Sequence, residues 1–134
     1  MILTLVDIAE CIANLNIADR THIYCGRMAD KKACSIGVYN LSSRRQRQNT
    51  VGGSENSSYR VKPVSMLVHW NKSTSDTEEA SMRLYEAVSN VRNVVVNNKR
   101  ILFAEMLTDI PVDVGTDDNG IYEMVIEADF YYER

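Results

Sequence analysis

The chain has 134 residues, 45% hydrophobic and 25% charged, with a formal net charge of -3. This length fits a single domain spanning residues 1–134, and the mildly acidic balance excludes an overall basic field that would draw the protein to nucleic acid. Cys11, Cys25 and Cys34 are odd in number and form no Cys-x-x-Cys pair, while Asp7 and Glu10 interrupt the N-terminal apolar run; a reducing cytoplasmic compartment, no secretory leader and no membrane span are the expectations.

Leu5, Ile8, Ile12 and Leu15 recur at three- and four-residue steps, which predicts a first helix with Asp7, Glu10 and Asn14 away from its apolar face. Residues 22–28 and 32–41 are short, partly β-branched or aromatic, and read as a modest hairpin. Between Ser42 and Ser58 the only large apolar residue is Val51 and the charges are Arg44, Arg45, Arg47 and Glu55. Such a run cannot build a core, so a long flexible loop between early strands is expected.

In residues 59–70, "YRVKPVSMLVHW", the apolar phase slips by one at Pro63, which predicts a strand with a bulge or an edge position there. The clearest helix follows. Ser75-x-x-Glu78 reads as its capping box, and Ala80, Leu84, Ala87, Val88 and Val91 as its core stripe. Residues 93–96 and 100–107 then flank Asn97-Asn98-Lys99 as a hairpin, since asparagine tolerates positive φ. In the last strand Tyr122, Met124, Ile126, Ala128, Phe130 and Tyr132 share one face, opposite Glu123, Glu127 and Asp129, after a turn at Asp118-Asn119-Gly120. The order α-β-β-loop-β-α-β-β-β predicts an α+β fold: a mixed, mostly antiparallel β-sheet with two main helices packed against it.

Candidate chemistry is sparse. Asp109, Asp113, Asp117, Asp118 and Glu123 gather carboxylates, but placing Gly120 at the sixth position of a calcium loop puts Gly115 at the first and Ile126 at the twelfth, where ligands are needed. The stretch reads as a solvated acidic hairpin, with a weak divalent-ion site as its alternative. His22-x-x-Cys25 with Cys34 lacks the second close pair of a structural zinc site; Cys25 and Cys34 read as small hydrophobes in strands and Cys11 as part of, or beside, the first helix's buried stripe. His69 reads as a partly exposed histidine beside a buried Trp70. With no nucleophile, metal or phosphate-loop motif, no catalytic residue, metal or cofactor is assigned. Arg44, Arg45 and Arg47 suit phosphates, yet no aromatic residue is interleaved with them. A loop awaiting a protein partner is the first reading, and a nucleic-acid-binding module the alternative from another class. A metal-dependent enzyme on the acidic hairpin ranks last.

The segments "YRVKPVSMLVHWNKSTSDTEEASMRLYEAVSNVRNV" and "DIPVDVGTDDNGIYEMVIEADFYYER" resemble the tail terminator and minor capsid (head–tail joining) proteins of long-tailed bacteriophages and prophages. The resemblance implies a non-enzymatic virion assembly protein without cofactors. It implies self-association in a hexameric ring that caps the tail tube, with the tube protein and a head-completion or connector protein as partners. DNA would pass through without specific binding, no membrane would be involved, and the protein would act in the host cytoplasm and then at the head–tail junction. Another head–tail connector role stays open beside it. On this reading Arg44, Arg45 and Arg47 are expected to meet partners when the loop orders on assembly, and Asp113, Asp117 and Asp118 to face the channel.

Overall fold

The computed structural model describes residues 2–27, 32–41 and 59–134, so the predicted loop with Arg44, Arg45 and Arg47 lies outside the described residues. Along the chain come α1 (Leu5–Asn14), a 3-10 turn (Arg20–His22), β1 (Ile23–Cys25), β2 (Ser35–Asn40), β3 (Tyr59–His69) and α2 (Thr74–Ser89). β4 (Arg92–Val96), β5 (Lys99–Met106), β6 (Val112–Thr116) and β7 (Tyr122–Glu133) complete it. The strands form one sheet in the order β1-β2-β3-β7-β5-β4, with β6 also paired to β7. All ladders are antiparallel except β1 with β2. The α+β class and the mostly antiparallel sheet follow the sequence reading.

α1 starts where the side chains demand it. Thr4 is the N-cap and forms a capping box with Asp7, while Leu3 before the cap and Ile8 one turn later are both buried in the same cluster. Ile8, Cys11 and Ile12 line the buried face; Leu5 and Leu15 pack at its margin. Asp7 departs from the expectation, for it is only 3% exposed. Besides its capping bonds it accepts from Lys99 Nζ at 2.6 Å and Asn97 Nδ2 at 2.8 Å, and a carboxylate so supplied with donors can be taken inside. α1 touches β1 and β2 at one end of the sheet and β4 at the other, so the sheet curls around the helix.

The predicted hairpin of β1 and β2 is corrected: Ile23, Tyr24 and Cys25 lie opposite Ile36, Gly37 and Val38 in parallel. The start of β2 is anchored at the far end of β3, where Cys34 N–H donates to the Trp70 carbonyl at 2.6 Å. β2 then runs antiparallel to β3, and the short β1 joins from outside. A period-two pattern carries no information about direction, which is why the residues alone could not separate the two pairings.

β3 holds its register against β7 from Tyr59 opposite Glu133 to His69 opposite Glu123, without a bulge at Pro63. On its other side the ladder with β2 ends at Asn40 opposite Val64, and Leu41 N–H reaches the Pro63 carbonyl at 3.3 Å. The proline's missing N–H therefore falls just past the last β2 pair, an edge in effect. The phase slip has its own cause. Val64, Met66 and Val68 face the helices, whereas Tyr59 lies on the opposite face, 5.5 Å from the Tyr131 ring, which itself stacks on Phe103 at 4.4 Å.

α2 begins two residues earlier than its expected box. Ser73 is the N-cap, accepting from Asp76 N–H at 3.2 Å, so Ser73-x-x-Asp76 and not Ser75-x-x-Glu78 starts the helix. Ala80, Leu84 and Val88 are buried as predicted, and Val91 just beyond the helix joins them. In the β4–β5 hairpin Asn97 and Asn98 take φ of 50° and 65° between Val96 and Lys99, the two-residue turn foreseen. Ile126, Ala128, Phe130 and Tyr132 of β7 complete the core with Ile36, Val38 and Ile101. Burying each such large side chain contributes about 1.5–3 kcal/mol.

β6 is the strand the sequence reading lacked. Every residue in it is exposed, so it buries no face that would set a pattern. β7 pairs with β3 along one side; along the other, β5 occupies its later half and β6 its beginning, end to end.

Candidate interaction surface

The β6–β7 turn is organised by one carboxylate. Asp117 Oδ1 accepts from Asn119 N–H and Ile121 N–H, each at 2.9 Å, while Gly120 takes φ of +80° and donates to the Asp117 carbonyl at 3.1 Å. Behind the turn lies His69. A carboxylate can only accept, so the imidazole donates Nδ1–H to Glu123 Oε2 at 2.9 Å, with Asp117 Oδ2 3.6 Å from its other nitrogen. The expected exposures of His69 and Trp70 are reversed: His69 is 1% exposed and Trp70 half-buried. His69 ends β3 between Ser35 and Glu123, whereas Trp70 has left the ladder and holds Tyr122 and Cys34 through its main chain.

Asp117 and Glu123 approach opposite nitrogens of the ring, so they do not converge on one cation. Among the described residues no group of three or more histidine, cysteine or acidic side chains is placed to hold a metal ion. Of the sulfur set, Cys25 is exposed and Cys34 lies outside the strand with φ of +58°, where an in-strand position was expected. Burial pushes the Cys34 thiol up, with the Asp76 charge adding to it, and burial lifts Cys11 to about 11.

The acidic residues singled out from the sequence thus share one hairpin but differ in state. Asp113 is exposed and accepts from Gly115 N–H at 2.8 Å, helping to form the β6 bulge; Asp118 is exposed at the tip; Asp117 is turned inward.

Beside them lies a surface that the search for carboxylates passed over. Ile110, Val112 and Val114 are 63%, 45% and 50% exposed, and Met82 of α2 is 39% exposed. Together with Glu78, Pro111, Asp113 and Met124, three of these (Met82, Ile110 and Val112) line a groove of about 480 Å³ between α2 and β6. Its wall is fixed: Tyr85 Oη donates to the Thr108 carbonyl at 2.6 Å and Thr108 Oγ1 to the Ile110 carbonyl at 2.8 Å. The signal was present as apolar alternation at Ile110, Val112 and Val114, and as Met82 standing off the buried stripe of α2.

The groove is thus apolar at its base and framed by carboxylates. The family model described as bacteriophage tail terminator protein matches residues 11–134, from the middle of α1 to the last residue, and the chain belongs to that family. No curated protein and no solved structure matches it. None of the helices among the described residues is long and apolar enough to cross a membrane.

Proposed function

We propose that six copies of this chain close into a ring on the end of the phage tail tube, stop its growth and present the face that receives the filled head. Residues 1–134 act as one domain, the subunit of that ring. The work is done by shape, without a catalysed reaction. Assembly takes place in the host cytoplasm, and the ring then stays at the head–tail junction with the tube protein and a head-completion protein as its neighbours.

The observation that supports this reading, beside family membership, is the exposed apolar strip Ile110, Val112, Val114 and Met82. Contiguous apolar surface of this kind marks a contact site. A contact between unlike surfaces that closes after a fixed rotation yields a ring. In that ring Asp118, exposed at the tip of the β6–β7 hairpin, faces the channel and repels passing DNA. Light scattering over a wide concentration range and electron microscopy of purified protein with and without tail tubes test the reading. Six-membered rings are expected; a monomer throughout, tubes included, overturns it.

A further inference from the structure

We infer that neighbouring copies join head to tail, the β4–β5 hairpin of one copy seating on the α2–β6 groove of the next. The inference rests on the ring reading and gives it its subunit contact. Eight large apolar side chains are exposed among the described residues, and six of them fall on or beside these two surfaces: Met82, Ile110 and Val112 in the groove with Val114 further along β6, and Val95 and Phe103 on the hairpin. The other two, Ile2 and Val6, lie at the start of α1.

Charge selects the pairing. On the hairpin, Arg92 lies opposite Phe103 and Val95 opposite Arg100, so each exposed apolar residue has a cation as its cross-strand partner. At the groove the polar lining is acidic, Glu78 from α2 and Asp113 from β6. A basic apolar face and an acidic apolar groove on one chain cannot pair with themselves across a two-fold axis without opposing like charges. They fit each other on successive copies, as a closed ring requires.

Arg92 donates to the Ser89 and Val91 carbonyls at 3.0 and 2.7 Å, so its guanidinium sits on the C-terminal end of α2. Arg100 shares a solvated contact of 3.3 Å with Glu133. The contact is one of side chains rather than of added strands, because the bulge at Asp113–Gly115 interrupts the β6 edge.

A charge swap tests this. Glu78→Arg and Arg100→Glu alter exposed positions, and their melting temperatures show that each variant is folded. Each alone is expected to raise the concentration needed for assembly by about ten-fold or more, read by light scattering. The doubly substituted chain regains assembly. So does an equimolar mixture of the two single variants, since in an alternating ring every contact is either native or swapped. Single variants that assemble like the native chain, or a loss that neither the double variant nor the mixture restores, overturn the assignment while leaving the ring intact. A native chain that forms no ring even with tail tubes present overturns the ring reading itself, and this contact with it.

Discussion

The Lys99 ammonium lies 2.6 Å from the Asp7 carboxylate and ties the β4–β5 turn to the first turn of α1. Burial alone would push the Asp7 carboxyl up; the bonds from Lys99, Asn97 and Thr4 outweigh it and bring the pKa to about 2. The folded-state value is below the unfolded one, so the contribution is fully present above pH 4 and is lost as the pH falls toward 2. It amounts to ~2 kcal/mol. Urea midpoints at pH 6, 4 and 2 should fall steeply in the last interval. In Asp7→Asn that part of the fall should be missing and the protein weaker at pH 6; an unchanged acid limb would refute the assignment.

His69 holds the β6–β7 turn to the end of β3. His69→Ala leaves Glu123 and Asp117 without the imidazole, and the cost should be about 1–3 kcal/mol in denaturant unfolding. Local opening should follow the same path. The amide hydrogens of Asn119 and Ile121, bonded to Asp117, are expected to exchange faster in the variant, while those of α1 change only with global stability.

The two serines at the start of α2 separate the observed cap from the expected one. Ser73→Ala should cost about 0.5–2 kcal/mol, the loss of a cap. Ser75→Ala, inside the first turn, should stay within about 0.5 kcal/mol of the native chain. Equal effects would place the helix start elsewhere.

Core and groove should also part company. Leu84 is fully buried, so Leu84→Ala is expected to lower the unfolding free energy by about 2–5 kcal/mol. Ile110→Ser removes an exposed side chain and should leave monomer stability within about 0.5 kcal/mol, yet weaken self-association by light scattering. Loss of stability without loss of assembly in Ile110→Ser would count against a contact role for the groove.

Legibility followed burial. The strand carrying Ile126, Ala128, Phe130 and Tyr132 and the stripe of Ala80, Leu84 and Val88 were readable because each buries one face and leaves a period behind. The Asn97-Asn98 turn was readable because few residues tolerate its φ. The exposed β6 leaves no such trace, and the direction of β1 leaves none either. Ser73 and Ser75 both fit a capping pattern, and only the fold chose between them. Asp7 and His69 looked like surface residues because the groups that make them tolerable inside lie far along the chain, Lys99 92 positions from Asp7 and Glu123 54 from His69. For the candidate surface, the carboxylates drew attention to the β6–β7 hairpin, while the exposed apolar residues between them and the arginines of β4 and β5 went unremarked.

β7 is bonded along its length to β3, without a break in register. Antiparallel ladder bonds lie across the strands, so a pull along β7 strains them all together, whereas a sideways pull would part them singly from one end. A tail subunit built around such a strand is stiff in one direction and peelable in the other. How that strand is oriented relative to the tail axis therefore decides how much tension the subunit survives.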